Sequence, residues 1–395
     1  MRRFIAVLLV LTVLPLAAQV TVTGEGKKGN PTVRIQNITG NEQIAGKIAS
    51  DFRCCGWFDV VRSGASDYVI TGSAGDNTAE LTVANGAGTP MYTVTAKGKD
   101  AAKTAHAAVD AVLKKEFNIP GICRTMIVFA AEVGKNKKEI YVCDFDGSNI
   151  IKLTNNNTLS IEPSWHPNGR AIIYNQFLIS STPLVEYDLI NYRSRALVRQ
   201  NGLNSGRISP DGKKIAFVVS VGNQMDLYVR DVEGGNLKRL TNDRAVEASP
   251  VWSPDSRQIC YVSNANGRPR LYIINAAGGT PKRIPGVLGS ESVSPAWSKD
   301  NKLAYSARLG AYTLKVLDLS TVMNYEGPKN ESAIIADSSM PAVEGESPSW
   351  APDNRHVVLS SKGVIYIVDT RTNKKRVLVS GESKCNGADW SPILY

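Results

Sequence analysis

The sequence predicts a small α+β N-terminal domain followed by an all-β six-bladed β-propeller closed by the C-terminal strand. Three observations carry that prediction: a tryptophan-centred motif recurs at blade-length intervals, the last strand is an innermost one with nothing after it, and the first hundred or so residues keep a different, helix-containing rhythm.

Self-similarity decides the architecture. The segments ending at Trp165, Ile208, Trp252, Trp297, Trp350 and Trp390 align, and each of the first five runs on into a turn and a β-branched strand. The anchors stand 43, 44, 45, 53 and 40 residues apart, the length of a four-stranded blade. Within a repeat such as Ser249-Pro-Val-Trp252-Ser-Pro-Asp-Ser, the Pro-x-Trp run reads as a short inner strand whose indole fills the wedge between neighbouring blades. Ser209-Pro-Asp-Gly212 reads as a tight turn, since Pro presets φ, Asp caps the backbone and Gly accepts a left-handed conformation. A strand over Ile215–Ser220 follows, then a third over Asp226–Asp231, a Gly234-Gly235 turn and an outer strand over Leu237–Thr241. Tyr141, Tyr228, Tyr272 and Tyr366 recur in the third strand, which argues for packing.

Strand counting predicts the closure. Met126–Ala131, Glu139–Phe145 and Asn149–Thr154 match second, third and fourth strands with no inner strand before them. The C-terminal Ala388-Asp-Trp390-Ser-Pro is an inner strand with no successor, so it completes the first blade and removes an exposed sheet edge. The wide spacing before Trp350 places an insertion of about ten residues between Thr321 and Gly345, beginning at Val322 and expected as a longer surface loop.

Ahead of the repeats, Thr32–Gln36, Phe58–Val61, Asp67–Ser73, Ala79–Ala84 and Met91–Thr95 read as strands. Asn41–Cys55 reads as a helix with Ile44, Ile48 and Phe52 on one face and Asn41 as its N-cap, and Asp100–Phe117 as a second helix. The expected division is a signal peptide at 1–18, the α+β domain at 19–117, a linker at 118–124 and the propeller at 125–395. Arg2 and Arg3 precede thirteen almost wholly apolar residues, Phe4 to Leu16, then Pro15 and Ala17-Ala18 supply the features of a cleaved secretion signal. That run is shorter than the roughly 20 residues a membrane-spanning helix needs, so no direct membrane insertion is expected.

The formal net charge is +10, spread over the repeats in short runs without interleaved aromatics, which excludes a nucleic-acid groove. The six cysteines, at 54, 55, 123, 143, 260 and 385, form no disulfide framework and no metal-ligand spacing. Cys260 stands where Ala216 stands in its neighbour, so it reads as core.

The chain resembles the TolB family, periplasmic proteins of the Tol–Pal envelope system. The resemblance rests on Asp51-Phe-Arg-Cys-Cys-Gly-Trp-Phe58, the junction Gly121-Ile-Cys-Arg124-Thr125-Met-Ile-Val-Phe129, the repeated Pro-x-Trp-Ser-Pro-Asp blades and the terminal Ala388-Asp-Trp390-Ser-Pro-Ile-Leu. It implies a periplasmic monomer that docks the lipoprotein Pal at one propeller mouth and the inner-membrane protein TolA through its mature N-terminal segment, supporting outer-membrane integrity and cell division. Family contacts fall just before the anchors, which here are Glu162, Gly202, Ser205, Ala248, Ser249 and, by repeat symmetry, Glu346; the N-terminal contacts would involve Gln19, Val20, Val22 and Thr23. That segment departs from the family in being rich in Gly and Thr.

The residues themselves allow two readings of Glu162, Glu247, Glu291 and Glu346: a negative ring around the channel mouth, which would favour a basic partner, or caps on turns. No catalytic residue, cofactor or metal is expected. A secreted hydrolase is the alternative, but there is no Gly-x-Ser-x-Gly elbow, and His106, His166 and His356 pair with no nucleophile. A metal-dependent enzyme is the other; Asp144-Phe-Asp146-Gly147 lacks the later Glu of a calcium loop and reads as a turn.

Overall fold

A computed structural model describes residues 29–323 and 343–394. The expected signal peptide, the expected partner segment at Gln19, Val20, Val22 and Thr23, and most of the expected insertion lie outside them.

The chain opens with a five-stranded sheet in the order β2-β1-β3-β4-β5, from β1 (Thr32–Gly40), β2 (Asp59–Val60), β3 (Tyr68–Ala74), β4 (Thr78–Asn85) and β5 (Pro90–Lys97), covered by α1 (Glu42–Cys54) and α2 (Ala101–Phe117). β1 runs four residues beyond the expected Gln36, because a register shift between Ile35 and Ile38, with Asn37 at φ 42°, lets pairing with β3 resume as far as Gly40. The expected Asn41 cap is present, and Asp100 supplies a second one ahead of α2. The Asn41 side chain accepts from the N–H groups of Gln43 and Ile44, and Asp100 accepts from that of Lys103. α2 ends on Asn118 in the left-handed conformation.

From Met126 the chain is a β-propeller of four-stranded arrays. Four are separate sheets, and two are joined into one eight-stranded sheet where Lys138 bridges to Leu159. The innermost strands are Leu159–Trp165, Leu203–Ile208, Glu247–Trp252, Ser292–Trp297, Glu346–Trp350 and Cys385–Trp390. The last pairs antiparallel with Met126–Gly134, with Trp390 opposite Ile127 and Cys385 opposite Ala131, as strand counting predicted. The indole of Trp390 donates to Thr125 Oγ1 at 2.8 Å, fastening the two ends of the propeller.

Three anchor indoles form a repeated clasp. Trp165, Trp252 and Trp350 donate to the carbonyls of Asp389, Arg207 and Ala296 at 3.2, 2.9 and 3.0 Å, in each case the residue just before the anchor of the preceding innermost strand. Trp297 instead donates to Asn301 in its own turn. In those turns Ser209, Ser253 and Ser298 each donate to the Asp two residues on, at 2.6 Å. The recurring tyrosines pack: Phe129–Tyr141, Phe217–Tyr228 and Tyr261–Tyr272 face each other across adjacent strands at 5.9, 6.0 and 6.0 Å.

Two expectations are corrected. The outer strands are only Ile151–Lys152 and Lys238–Arg239, shorter than Asn149–Thr154 and Leu237–Thr241. The reason is that Thr154 and Thr241 turn inward, and each Oγ1 accepts from the third strand at 2.9 Å in place of a ladder carbonyl. The insertion does not begin as loop, since Leu319–Met323 is a helical turn with Leu319 and Val322 buried.

The N-terminal unit is not a bead on a linker. Phe52, Ile122, Phe145, Ile367 and Trp390 belong to one buried cluster spanning the unit, the connecting segment and the first and last arrays. Asp110 gathers that segment by accepting from Cys123 N, Arg124 N and Arg124 Nε at 2.9, 3.2 and 3.0 Å. Across the joint the Trp57 indole donates to Asp353 at 2.9 Å while the Arg355 guanidinium lies 4.4 Å from its ring centre.

If the clasp holds the arrays together, Trp252→Phe should lower stability by about 1–2 kcal/mol more than Trp297→Phe, because it leaves the Arg207 carbonyl without its donor. Equal losses in urea unfolding would contradict this.

Candidate functional site

Every innermost strand carries a bulge three residues before its anchor. Glu162, Ser205, Ser249, Ser294, Ser347 and Gly387 have φ of 53°, 46°, 48°, 51°, 53° and 60°, and the pairing register shifts at each. Five of these are not glycine, so each holds a conformation that costs a side-chain-bearing residue on the order of 1 kcal/mol. The same six residues line one axial cavity of about 110 Å³. The bulge breaks the strand's alternation, so side chains at neighbouring positions come to the channel wall.

Two sets of polar groups in this cavity are tied together. Ser205 Oγ donates to Glu162 Oε2 at 2.6 Å. One position before the anchors, Asp389 accepts from Trp165 N at 2.8 Å and from Ser349 Oγ at 2.6 Å, while Ser349 Oγ accepts from Trp390 N at 3.1 Å. Burial pushes the Asp389 carboxyl above the ordinary range, although the nearby Arg207 charge and these hydrogen bonds pull the other way. Arg207 lines the same cavity.

Of the residues expected before the anchors, Glu162, Ser205 and Ser249 meet in this cavity. Glu346 lines a neighbouring cavity of about 240 Å³ with Tyr312, Glu344, Lys362 and Asn386. Ala248 is half-buried against the apolar core between two arrays. Gly202, at φ 73°, accepts from Ser220 N, and a Cβ there would lie 2.4 Å from the Ser220 carbonyl oxygen, so its role is a close backbone approach.

The four glutamates do not form one ring. Glu247 is 1% exposed and its Oε1 faces the Ser263 hydroxyl at 3.3 Å. Glu291 accepts from the Tyr312 hydroxyl at 2.7 Å and stands 3.7 Å from Arg308. They sit three, five, six and four residues before their anchors, so pleat and bulge send them to different walls. The ring the repeat does build is mostly serine. Ser294, Ser347, Gly387, Arg207, Ser349 and Asp389 are the lining residues sequence reasoning did not pick out; the signal was the Ser-Pro pair recurring before Trp252, Trp297 and Trp350.

The family model described as the TolB beta propeller domain matches residues 114–394. The Tol-Pal system protein TolB of Anaeromyxobacter dehalogenans strain 2CP-C is 31% identical over 210 residues, 52% of this chain and 48% of that protein. Its counterpart in strain 2CP-1 is 34% identical over 155 residues, 39% of this chain and 36% of the relative. The chain thus spans about half or less of the length of these relatives. The crystal structure of TolB from Acinetobacter baumannii superposes with a TM-score of 0.78 at 20% identity, covering 92% of this chain and 97% of that one, a likeness of fold.

The buried Glu247 supplies a pH test. Burial, with Asp243 and Asp226 nearby, pushes its carboxyl up to about 8, from an ordinary 4.5. Between those values the unfolded chain has lost a proton that the folded chain keeps, so stability falls as pH rises through that window. Glu247→Gln should flatten the fall in stability between about pH 5 and 8 and gain most at the upper end. Parallel pH curves for the two proteins would contradict it.

Proposed function

The chain belongs to the TolB β-propeller family, and from that premise we propose that it is a periplasmic, non-catalytic protein-binding scaffold of a Tol–Pal system. In this reading the four-stranded arrays are six blades of one closed ring, following a signal peptide at 1–18, an α+β domain at 19–117 and a connector at 118–124. A Pal-like lipoprotein docks at the mouth over Glu162, Ser205 and Ser249, with Glu346, Gly202 and Ala248 at the strand starts beside it. A TolA-like inner-membrane protein engages the segment containing Gln19, Val20, Val22 and Thr23. The protein acts as a monomer and supports outer-membrane integrity and division.

The observation that carries the reading is the convergence of all six innermost strands on one cavity through the same strained bulge. Such repetition gives a pre-formed, rigid rim, which lowers the ordering cost of binding a protein loop. The alternative, a secreted hydrolase or metal-dependent enzyme, is less supported. The Nδ1 atoms of His106 and His356 are occupied by Asp51 and Asp353 at 2.7 and 2.6 Å within buried packing, and His166 accepts from the Asn168 N–H in a turn.

Calorimetry of residues 19–395 with the Pal-like domain of the same organism tests the proposal. It predicts one-to-one binding at micromolar Kd or tighter, weakened at least about tenfold in the double variant Glu162→Ala/Glu346→Ala. Unchanged affinity in that variant, or no binding by a folded propeller, would overturn it.

A further inference from the structure

A second kind of site lies at the joint between the N-terminal unit and the last array. A cavity of about 360 Å³ opens there, walled on one side by the end of α1 and the turn after it, and on the other by strands Val364–Asp369 and Lys375–Val379. Phe58 and Ile367, both buried, give it an apolar floor. Its polar wall is cationic and incompletely paired.

Arg376 is the key group. One terminal nitrogen donates to the Phe145 carbonyl at 2.7 Å, but its Nε is shut away from solvent with no partner. No carboxylate pairs with this guanidinium among the described residues, and burial pushes its pKa down, the sign of a cation whose hydration has not been replaced. Arg53, in the last turn of α1, lines the same cavity, is exposed and has no ion pair among the described residues. His356 presents a third polar atom without a partner: its Nδ1 is held by Asp353 at 2.6 Å, while its buried Nε2 has none. The carboxylates along this wall are already engaged. Asp59 is paired with Lys374 at 2.5 Å, and Asp369 accepts from the Arg355 guanidinium at 2.9 and 2.6 Å.

We propose that this cavity is a binding site for a small oxyanion, with the doubly charged phosphate group as the preferred chemistry. Two guanidiniums without a carboxylate partner line the cavity, one from α1 and one from the last array, and planar donors of this kind grip phosphate oxygens in pairs. A partly desolvated setting strengthens that attraction relative to bulk water. A second negative charge gains from both cations, so a monocarboxylate of similar size is the weaker ligand. Because the walls come from α1 and from the last array, the bound anion links the N-terminal unit to the propeller.

Titrating the mature chain, residues 19–395, with sodium phosphate by calorimetry tests this, against sodium chloride at matched ionic strength. The expected result is saturable one-to-one binding, weakened about tenfold or more by Arg53→Gln and by Arg376→Lys, with acetate binding more weakly than phosphate. Arg53→Gln is a surface change that should leave the fold intact by circular dichroism, so it decides the matter even if the Arg376 variant fails to fold. No saturable binding of phosphate, or binding untouched by Arg53→Gln, would overturn the site. Acetate binding as tightly as phosphate would overturn the preference for a dianion.

Discussion

The carboxylate of Asp389 holds together strands that chain order keeps far apart. It accepts from the backbone of Trp165 and the hydroxyl of Ser349, and that hydroxyl in turn accepts from the backbone of Trp390. A buried carboxylate is costly unless its oxygens are occupied, and here both are. The strand that carries it also pairs with Met126–Gly134 and plants Trp390, Ala388 and Cys385 in the apolar cluster shared with the N-terminal unit. Pairing of the last strand with Met126–Gly134 and attachment of the N-terminal unit therefore rest on the same few residues near the C-terminus.

The channel wall follows from the same constraint. Six innermost strands meeting around an axis leave little room, and the bulge at each lets the backbone turn inward at one level and the following position form the next. The indole clasps tie one innermost strand to the next just below that level, which is why three of them reach the carbonyl one position before an anchor. The rim is thus built from backbone geometry shared among arrays and does not depend on any single long side chain.

Much of this was legible in the sequence. The anchors, the turns and the strand without a successor carry strong chemical preferences, since a large indole fills the wedge at five of the six anchors and only a few residues make the turn. Backbone conformation was not legible: Ser294 and Ser347 read as ordinary polar strand residues until their left-handed φ is seen. The glutamates left two readings open because charge alone does not show which wall a side chain reaches, and Glu247 and Glu162 stand at different positions relative to their anchors. Nor could local pattern show that Thr154 and Thr241 end the outer strands early, because that depends on each hydroxyl meeting the strand before it, or that Arg376 would be left beside a cavity, because that depends on α1, far away in the chain.

The claim that the terminal strand governs more than its own edge is tested most directly by native-state hydrogen exchange on a chain ending at residue 384. Loss of protection should spread beyond Met126–Gly134 to Leu159–Trp165, Glu346–Trp350 and both N-terminal helices, because all of these lean on the missing strand or on its neighbours. Protection lost only in Met126–Gly134, with the helices and the other innermost strands unchanged, would contradict it.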